Sequence, residues 1–201
     1  MKKVFVYLSL ILIAVGIVNV FWEQELVYSL PTPVPQDLKQ VEVGKELVLA
    51  FDDKKHEKPV FLHFFNPACP CSRFNMKHFK KLLHTYSDKL DFMVVVQTED
   101  LEISDQEIKD EFDIDVPCIM DPDKKIAESC GVYSTPQAVI IDMSGKLYYR
   151  GNYNRARYCT DKKSDFAQMA IDSLLNNQDN PVFSMLATIP YGCSLPAGCG
   201  K

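Results

Sequence analysis

The sequence predicts an α/β domain, a mixed central sheet flanked by helices, carried behind an N-terminal transmembrane helix. Three observations predict it. Apolar residues run almost unbroken from Val4 to Trp22. Beyond a proline-spaced stretch, short β-type runs alternate with segments whose apolar residues recur every three or four positions. The last two β-type runs are joined through Met143-Ser144-Gly145, a hairpin connection.

The Val4–Trp22 run is interrupted only by Ser9, Gly16 and Asn19. Its length matches the roughly 20 residues a helix needs to cross a bilayer core. Lys2 and Lys3 before it, and Glu23 and Glu25 after it, favour a cytoplasmic N-terminus. A cleaved signal peptide is the competing reading, with Ala14-Val15-Gly16 as a weak small-residue site. The apolar run continues past that site to Trp22, which a signal peptide does not need. The expectation is therefore an uncleaved anchor over 1–22, with the remainder exported to the periplasm or the cell exterior.

Leu30 to Gln40 (LPTPVPQDLKQ) suits a semi-rigid extended linker, so 23–40 joins anchor to domain. The domain is expected over 41–176, long enough to bury a core, and a cysteine-containing tail over 177–201. The 201 residues carry a net charge of −5 and no basic tract, which argues against a nucleic-acid partner. All seven cysteines lie beyond the anchor, where disulfides are permitted, and an odd count leaves at least one thiol unpaired, shared between chains, or cycling.

Pro59 to Phe65 (PVFLHFF) reads as a strand. The helix after it places Met76, Phe79, Leu82, Leu83 and Tyr86 on one face. Asp91 to Gln97 (DFMVVVQ) has the β-branched and aromatic content of a strand buried on both faces. Ser104 and Glu107 have capping-box spacing before a short helix ending near Phe112. VPCIMD reads as a strand and Lys124 to Cys130 as a helix. QAVIID and KLYYRG form the hairpin. A last helix after Thr160 carries Phe166, Met169, Ala170, Ile171 and Leu174 as its apolar stripe. No element is assigned from Asn180 to Lys201.

The chemistry concentrates in FNPACPCSRFN, where Cys69 and Cys71 are one residue apart and Ser72 occupies the place a Cys-x-x-Cys motif would give its second thiol. Residues three apart on a helix share a face, whereas residues two apart point to nearly opposite sides. A disulfide needs Cβ atoms about 3.5–4.5 Å apart. A Cys69–Cys71 bond is therefore strained and easily reduced.

Val60 to Ser72, Thr135-Pro136 and the following hairpin resemble the thioredoxin superfamily, and most closely its membrane-anchored TlpA-like and redoxin branch, over roughly Val41 to Leu175. The resemblance implies a thioredoxin-like fold and a thiol–disulfide oxidoreductase that exchanges disulfides with a protein partner. It implies Cys69 as the nucleophile at a helix start, where backbone N–H groups and the helix dipole favour a thiolate. Such sites lower a cysteine pKa from about 8.5 to roughly 3.5–7.5. Cys71 replaces the proline common inside the motif, and Ser72 replaces the resolving cysteine. Pro136 takes the place of the family's cis-proline, shaping with Thr135 the groove for the partner's extended backbone. In this fold KLYYRG returns toward Cys69, so GNYNRARYCT (Gly151 to Thr160) is delivered beside the site. That loop offers Cys159 as a resolving thiol, its thiolate favoured by Arg155 and Arg157, with Arg150 just before it. The competing reading of the loop is an ordinary polar connection.

Other readings are bland or departures. Cys69 and Cys71 are alternatively two small buried residues. A binding or copper(I)-handling module that kept the fold and lost turnover is a rival function, since copper(I) favours thiolates. Copper-delivering relatives use Cys-x-x-x-Cys and a downstream His, whereas His56, His63, His78 and His84 all lie near or before this motif. A peroxiredoxin-type peroxidase is a minor alternative, because Leu62 and Asn66 stand where that family has Pro and Thr. No metal and no cofactor is expected, and no Cys-x-x-Cys-His for haem is present. His78 and His84 are expected on a solvated helix face, His63 as a satisfied core histidine, Cys118 as structural, Cys130 undecided. Cys193 and Cys199 are spaced for a small tail disulfide.

Overall fold

The structure, a computed structural model, describes residues 2–26, 30–49, 57–100, 102–155, 159–176, 178 and 183–195. Helix α1 (Lys2–Phe21) buries none of its residues and is long and apolar enough to cross a membrane. The described residues form a five-stranded sheet in the order β3-β2-β1-β5-β6. The strands are β1 (Val60–Phe65), β2 (Asp91–Val96), β3 (Cys118–Met120), β5 (Gln137–Ile141) and β6 (Leu147–Gly151). A separate strand pair joins β4 (Ser134–Thr135) to β7 (Cys193–Ser194). The helices are α2 (Pro70–Tyr86), α3 (Asp105–Phe112), α4 (Lys125–Cys130), α5 (Phe166–Leu175) and α6 (Met185–Thr188).

Strand β1 is central because both its faces are apolar, and its period-two alternation feeds two cores. Phe61 and Phe65 pack with Phe79 and Leu82 of α2, Ile108 of α3, and Ala170 and Ile171 of α5. Val60, Leu62 and Phe64 face Ile126 and Ala127 of α4, Val139 and Leu147. Burying one such side chain is worth about 1.5–3 kcal/mol. An exposed pair such as Lys80–Asp113, 3.0 Å apart with Asp113 97% exposed, adds at most about 1 kcal/mol. The two sheet-face cores therefore hold the fold.

β1, β2 and β3 run parallel, and β5 runs antiparallel to β1 with Gln137 opposite Phe64. The start of β5 is thus at the end of β1 from which α2 departs. β6 runs antiparallel to β5 and brings Gly151 opposite Ala138, so the chain returns to that same end. The expected capping box is present, Ser104 Oγ accepting from Glu107 N at 3.2 Å and Glu107 Oε2 accepting from Ser104 N at 2.8 Å.

The structure adds to one reading and corrects two. Within 180–201, where the sequence predicts no element, the described residues 183–195 hold α6 and β7. Asn152 fixes this segment, its Nδ2 donating to the carbonyls of Leu186 (2.9 Å) and Ile189 (2.6 Å) and its N–H to Ala187 (2.7 Å). His78 is buried rather than solvated, with Nε2 2.7 Å from Asp165 Oδ1 beneath α5. His63 is a core residue but only half satisfied: Nδ1 meets Tyr153 Oη at 2.7 Å while Nε2 has no partner among the described residues. Burial, with His78 nearby, pushes its pKa down to about 3.

Candidate active site

Cys69 caps the N-terminus of α2, followed by Pro70 in the first turn, where a missing N–H costs nothing. Asn66 shapes the loop between β1 and the helix. Its Oδ1 accepts from Ala68 N at 2.9 Å and its carbonyl accepts from Cys69 N at 3.1 Å. Ser72, in the resolving position, is fully buried, and its hydroxyl lies 3.3 Å from the Asn66 N–H as acceptor. A side chain there tethers the end of β1 to the first turn of α2. The hydroxyl has a structural role where the motif would place a second thiol.

The structure joins Cys69 to Cys193 in a disulfide spanning 124 residues of sequence. The expected Cys193–Cys199 tail bond is therefore incorrect, Cys199 itself lying outside the described residues. Cys71, although outside the disulfide, completes a buried cluster: the sulfurs of Cys69, Cys71 and Cys193 all lie within 4.8 Å of one another. Thr135 precedes Pro136 across a cis peptide bond, and the Thr135 carbonyl oxygen is 4.0 Å from Cys69 Sγ. Thr135 is also the register partner of Cys193 in the β4–β7 pair.

The connection over 151–160 starts at the active-site end as topology requires, but the structure does not bond Cys159 to Cys69. Cys159 sits over α2, accepting from Asn75 Nδ2 at 3.2 Å. Burial pushes its thiol up to about 11, the Asn75 contact opposing weakly. Of the arginines near it in sequence, Arg150 and Arg155 are engaged elsewhere. Arg155 pairs with Asp161 at 3.1 Å, and Arg150 donates to the carbonyls of Val41 (2.8 Å) and Cys130 (2.9 Å). Arg157 lies outside the described residues. Burial likewise raises Cys118 to about 11 and Cys130 to about 12, so neither is a ready nucleophile.

Sequence reasoning missed Cys193 and Thr32. Thr32, in the proline-spaced stretch, donates its N–H to Pro190 O at 2.9 Å, and its hydroxyl lies 2.9 Å from Ser134 Oγ. The one signal in the sequence is a Gly-Cys pair between prolines in a short tail, which marks a close backbone approach without saying to what.

Residues 38–194 match the family described as a domain of unknown function, DUF6436. The thiol-disulfide oxidoreductase ResA of Halalkalibacterium halodurans is 24% identical over 90 residues, 45% of this chain and 51% of that protein. The ResA of Bacillus thuringiensis subsp. konkukian is 27% identical over 120 residues, 54% of this chain and 69% of that protein. The chain thus spans about half the length of the first of these relatives. A hypothetical protein from Sinorhizobium meliloti 1021 superposes with TM-score 0.63 at 17% identity, over 81% of this chain and 98% of that one. An uncharacterized conserved protein from Geobacillus kaustophilus gives 0.62 at 18% identity, over 85% and 100%. A thioredoxin-like protein in its oxidized form gives 0.50 at 16% identity, over 74% and 98%. At these identities the structures share a fold, and the fold is thioredoxin-like.

Proposed function

Because the chain belongs to the DUF6436 family, whose matched span takes in Cys69, Cys71 and Cys193 together, we propose that it is a thiol–disulfide oxidoreductase acting on a protein partner. The observation that carries this reading is the Cys69–Cys193 disulfide, set at the start of α2 and against Thr135-Pro136. The partial match to the ResA proteins, which are named for that activity, supports it.

The exchange needs no cofactor. A partner thiolate attacks one sulfur of the Cys69–Cys193 bond, forming a mixed disulfide and releasing the other as a thiolate. A second partner thiolate then attacks the mixed disulfide, so the partner leaves oxidised and two electrons remain on Cys69 and Cys193. The reverse sequence reduces a partner disulfide. Cys69 is the residue fitted to leave or attack, since the unpaired N–H groups at the start of α2 favour its thiolate. In this reading α1 is a membrane anchor and the domain works on the exported side, a topology that Lys2 and Lys3 before the helix support. In this reading Pro136 and Thr135 line the partner's groove.

The test is turbidimetric reduction of insulin by full-length protein with dithiothreitol as reductant. Wild-type protein is expected to accelerate precipitation and Cys69→Ser to lose the effect. Full activity in Cys69→Ser would sink the proposal.

The three-sulfur cluster favours one second reading. With metal–sulfur bonds near 2.3 Å, three thiolates in a trigonal set stand about 4 Å apart, a spacing comparable with the 4.8 Å within which the three sulfurs lie in the oxidised protein. Copper(I), a soft ion, is the fitting guest. Copper retained on gel filtration by reduced wild-type protein, and lost in Cys71→Ser, would favour it.

A further inference from the structure

We propose that the tail segment 191–194 occupies the seat of the partner's own cysteine-bearing segment, and that this seat selects an extended segment with glycine immediately before the reacting cysteine. The inference rests on the oxidoreductase reading and names the chemical class of its substrate.

Four features of the tail coincide. Cys193 is bonded to Cys69, as a partner cysteine is in a mixed disulfide. It lies in an extended strand paired antiparallel with β4, Cys193 opposite Thr135 and Ser194 opposite Ser134. Leu195 N extends the contact to the Tyr133 carbonyl at 3.3 Å. Cys69 and Cys193 are 0% and 1% exposed, so the seated tail fills the place a partner's segment would take beside Cys69. The tail is therefore an internal occupant that a partner must displace once the disulfide opens.

Gly192 shows what the seat tolerates. A Cβ at this position would run into the Thr135 carbonyl oxygen, and would stand 2.9 Å from the Thr135 carbonyl carbon and 3.1 Å from Ser134 Oγ. These neighbours cannot give way. Ser134 and Thr135 are fully buried, and the Ser134 hydroxyl is held by Thr32. Thr32 Oγ1 also donates to the Gly192 carbonyl at 3.3 Å, holding the tail's backbone in place. Selection here is by exclusion: any side chain preceding the cysteine clashes with fixed backbone.

The experiment uses full-length protein carrying Cys71→Ser and Cys193→Ser, reduced, so that Cys69 is the thiol remaining in the cluster. It is mixed with capped peptides Tyr-Gly-Cys-Ser, Tyr-Ala-Cys-Ser and Tyr-Val-Cys-Ser, each activated as a disulfide with thionitrobenzoate. The Cys69 thiolate attacks the peptide sulfur, and thionitrobenzoate departs with the electron pair of the broken bond. Its absorbance gives the rate, and mass spectrometry confirms the adduct at Cys69. Rates are normalised to those of glutathione with the same peptides. The glycine peptide is expected to react about tenfold faster than the alanine peptide, and the valine peptide to be slower still. Equal normalised rates overturn the proposal and leave the oxidoreductase reading standing. No adduct with any peptide, although iodoacetamide still labels Cys69, overturns both. Independently, Gly192→Ala in the otherwise native chain should make the tail a poor occupant. Its Cys69–Cys193 bond should then be half-reduced at about tenfold less dithiothreitol, and an unchanged midpoint counts against the seat.

Discussion

Cys193 stands in register with Thr135, the residue before Pro136, while its sulfur is bonded to Cys69 at the start of α2. One residue of the tail is thus held covalently by the helix and by backbone pairing to β4. That double hold decides which thiol closes the site.

Peptide mapping of oxidised protein without reductant is expected to recover a Cys69–Cys193 link. Cys130 should be alkylated only after denaturation, and the partly exposed Cys118 and Cys159 slowly at neutral pH, because burial disfavours all three thiolates. A dominant Cys69–Cys71 or Cys69–Cys159 peptide would contradict the site as described.

Ser72 offers two substitutions with opposite consequences. Ser72→Ala removes the acceptor facing the buried Asn66 N–H and should cost about 1–3 kcal/mol in urea denaturation. Ser72→Cys restores the Cys-x-x-Cys spacing, so mapping should find Cys69 divided between the introduced thiol and Cys193. A Ser72→Cys protein whose Cys69 stays wholly with Cys193 would show that the seated tail outcompetes a thiol one turn away.

The half-satisfied His63 makes the fold acid-sensitive. Its pKa is about 3 in the folded protein against an ordinary value of 6.5, so the folded state favours the neutral ring. Its stabilising contribution is complete above pH 6.5 and is lost as pH falls toward 3, because the unfolded chain takes up a proton that the core resists. Over that window the folding equilibrium should weaken by about tenfold per pH unit from this group. Denaturation midpoints measured from about pH 7 to about pH 4 check it. His63→Phe should be less stable at neutral pH, having stranded the Tyr153 hydroxyl, yet show a flatter acid limb.

Asn152 couples the end of β6 to the tail. Asn152→Ala deletes the side-chain bonds to the Leu186 and Ile189 carbonyls. Cleavage by a non-specific protease should move into 183–192, and dithiothreitol should reduce the Cys69–Cys193 bond several-fold faster. An unchanged digestion pattern would mean that the strand pair, Thr32 and the disulfide hold the tail without Asn152.

The fold is legible in the sequence because its signals are local and periodic. The apolar run PVFLHFF, the stripe of Phe79, Leu82 and Tyr86, and the Ser104/Glu107 box each specify an element without reference to distant chain. Even the return of KLYYRG to the active-site end follows from hairpin geometry, and the register of Gly151 with Ala138 agrees. The site is legible only in part. Cys69 and Pro136 stand out within their own segments, but the thiol bonded to Cys69 comes from 124 residues away. Nothing in Cys193's own neighbourhood encodes that pairing. It depends on Thr32, Ser134 and Asn152 meeting in space. The burial of His78 escapes a sequence reading for a related reason: its place off the apolar stripe reads as a solvated face, and only packing brings Asp165 at the start of α5 against it.

The length of chain enclosed by the Cys69–Cys193 bond turns the redox state into a constraint on the unfolded ensemble. Closing 124 residues into a ring removes about 4–5 kcal/mol of conformational entropy from the denatured chain in the loop-closure account. Because the cycle is closed thermodynamically, whatever the bond adds to folding, folding returns to the bond. A destabilising substitution in either core, such as Phe79→Ala, therefore need not touch a sulfur to make the bond easier to reduce. It raises the share of open chains, in which the two cysteines no longer find each other.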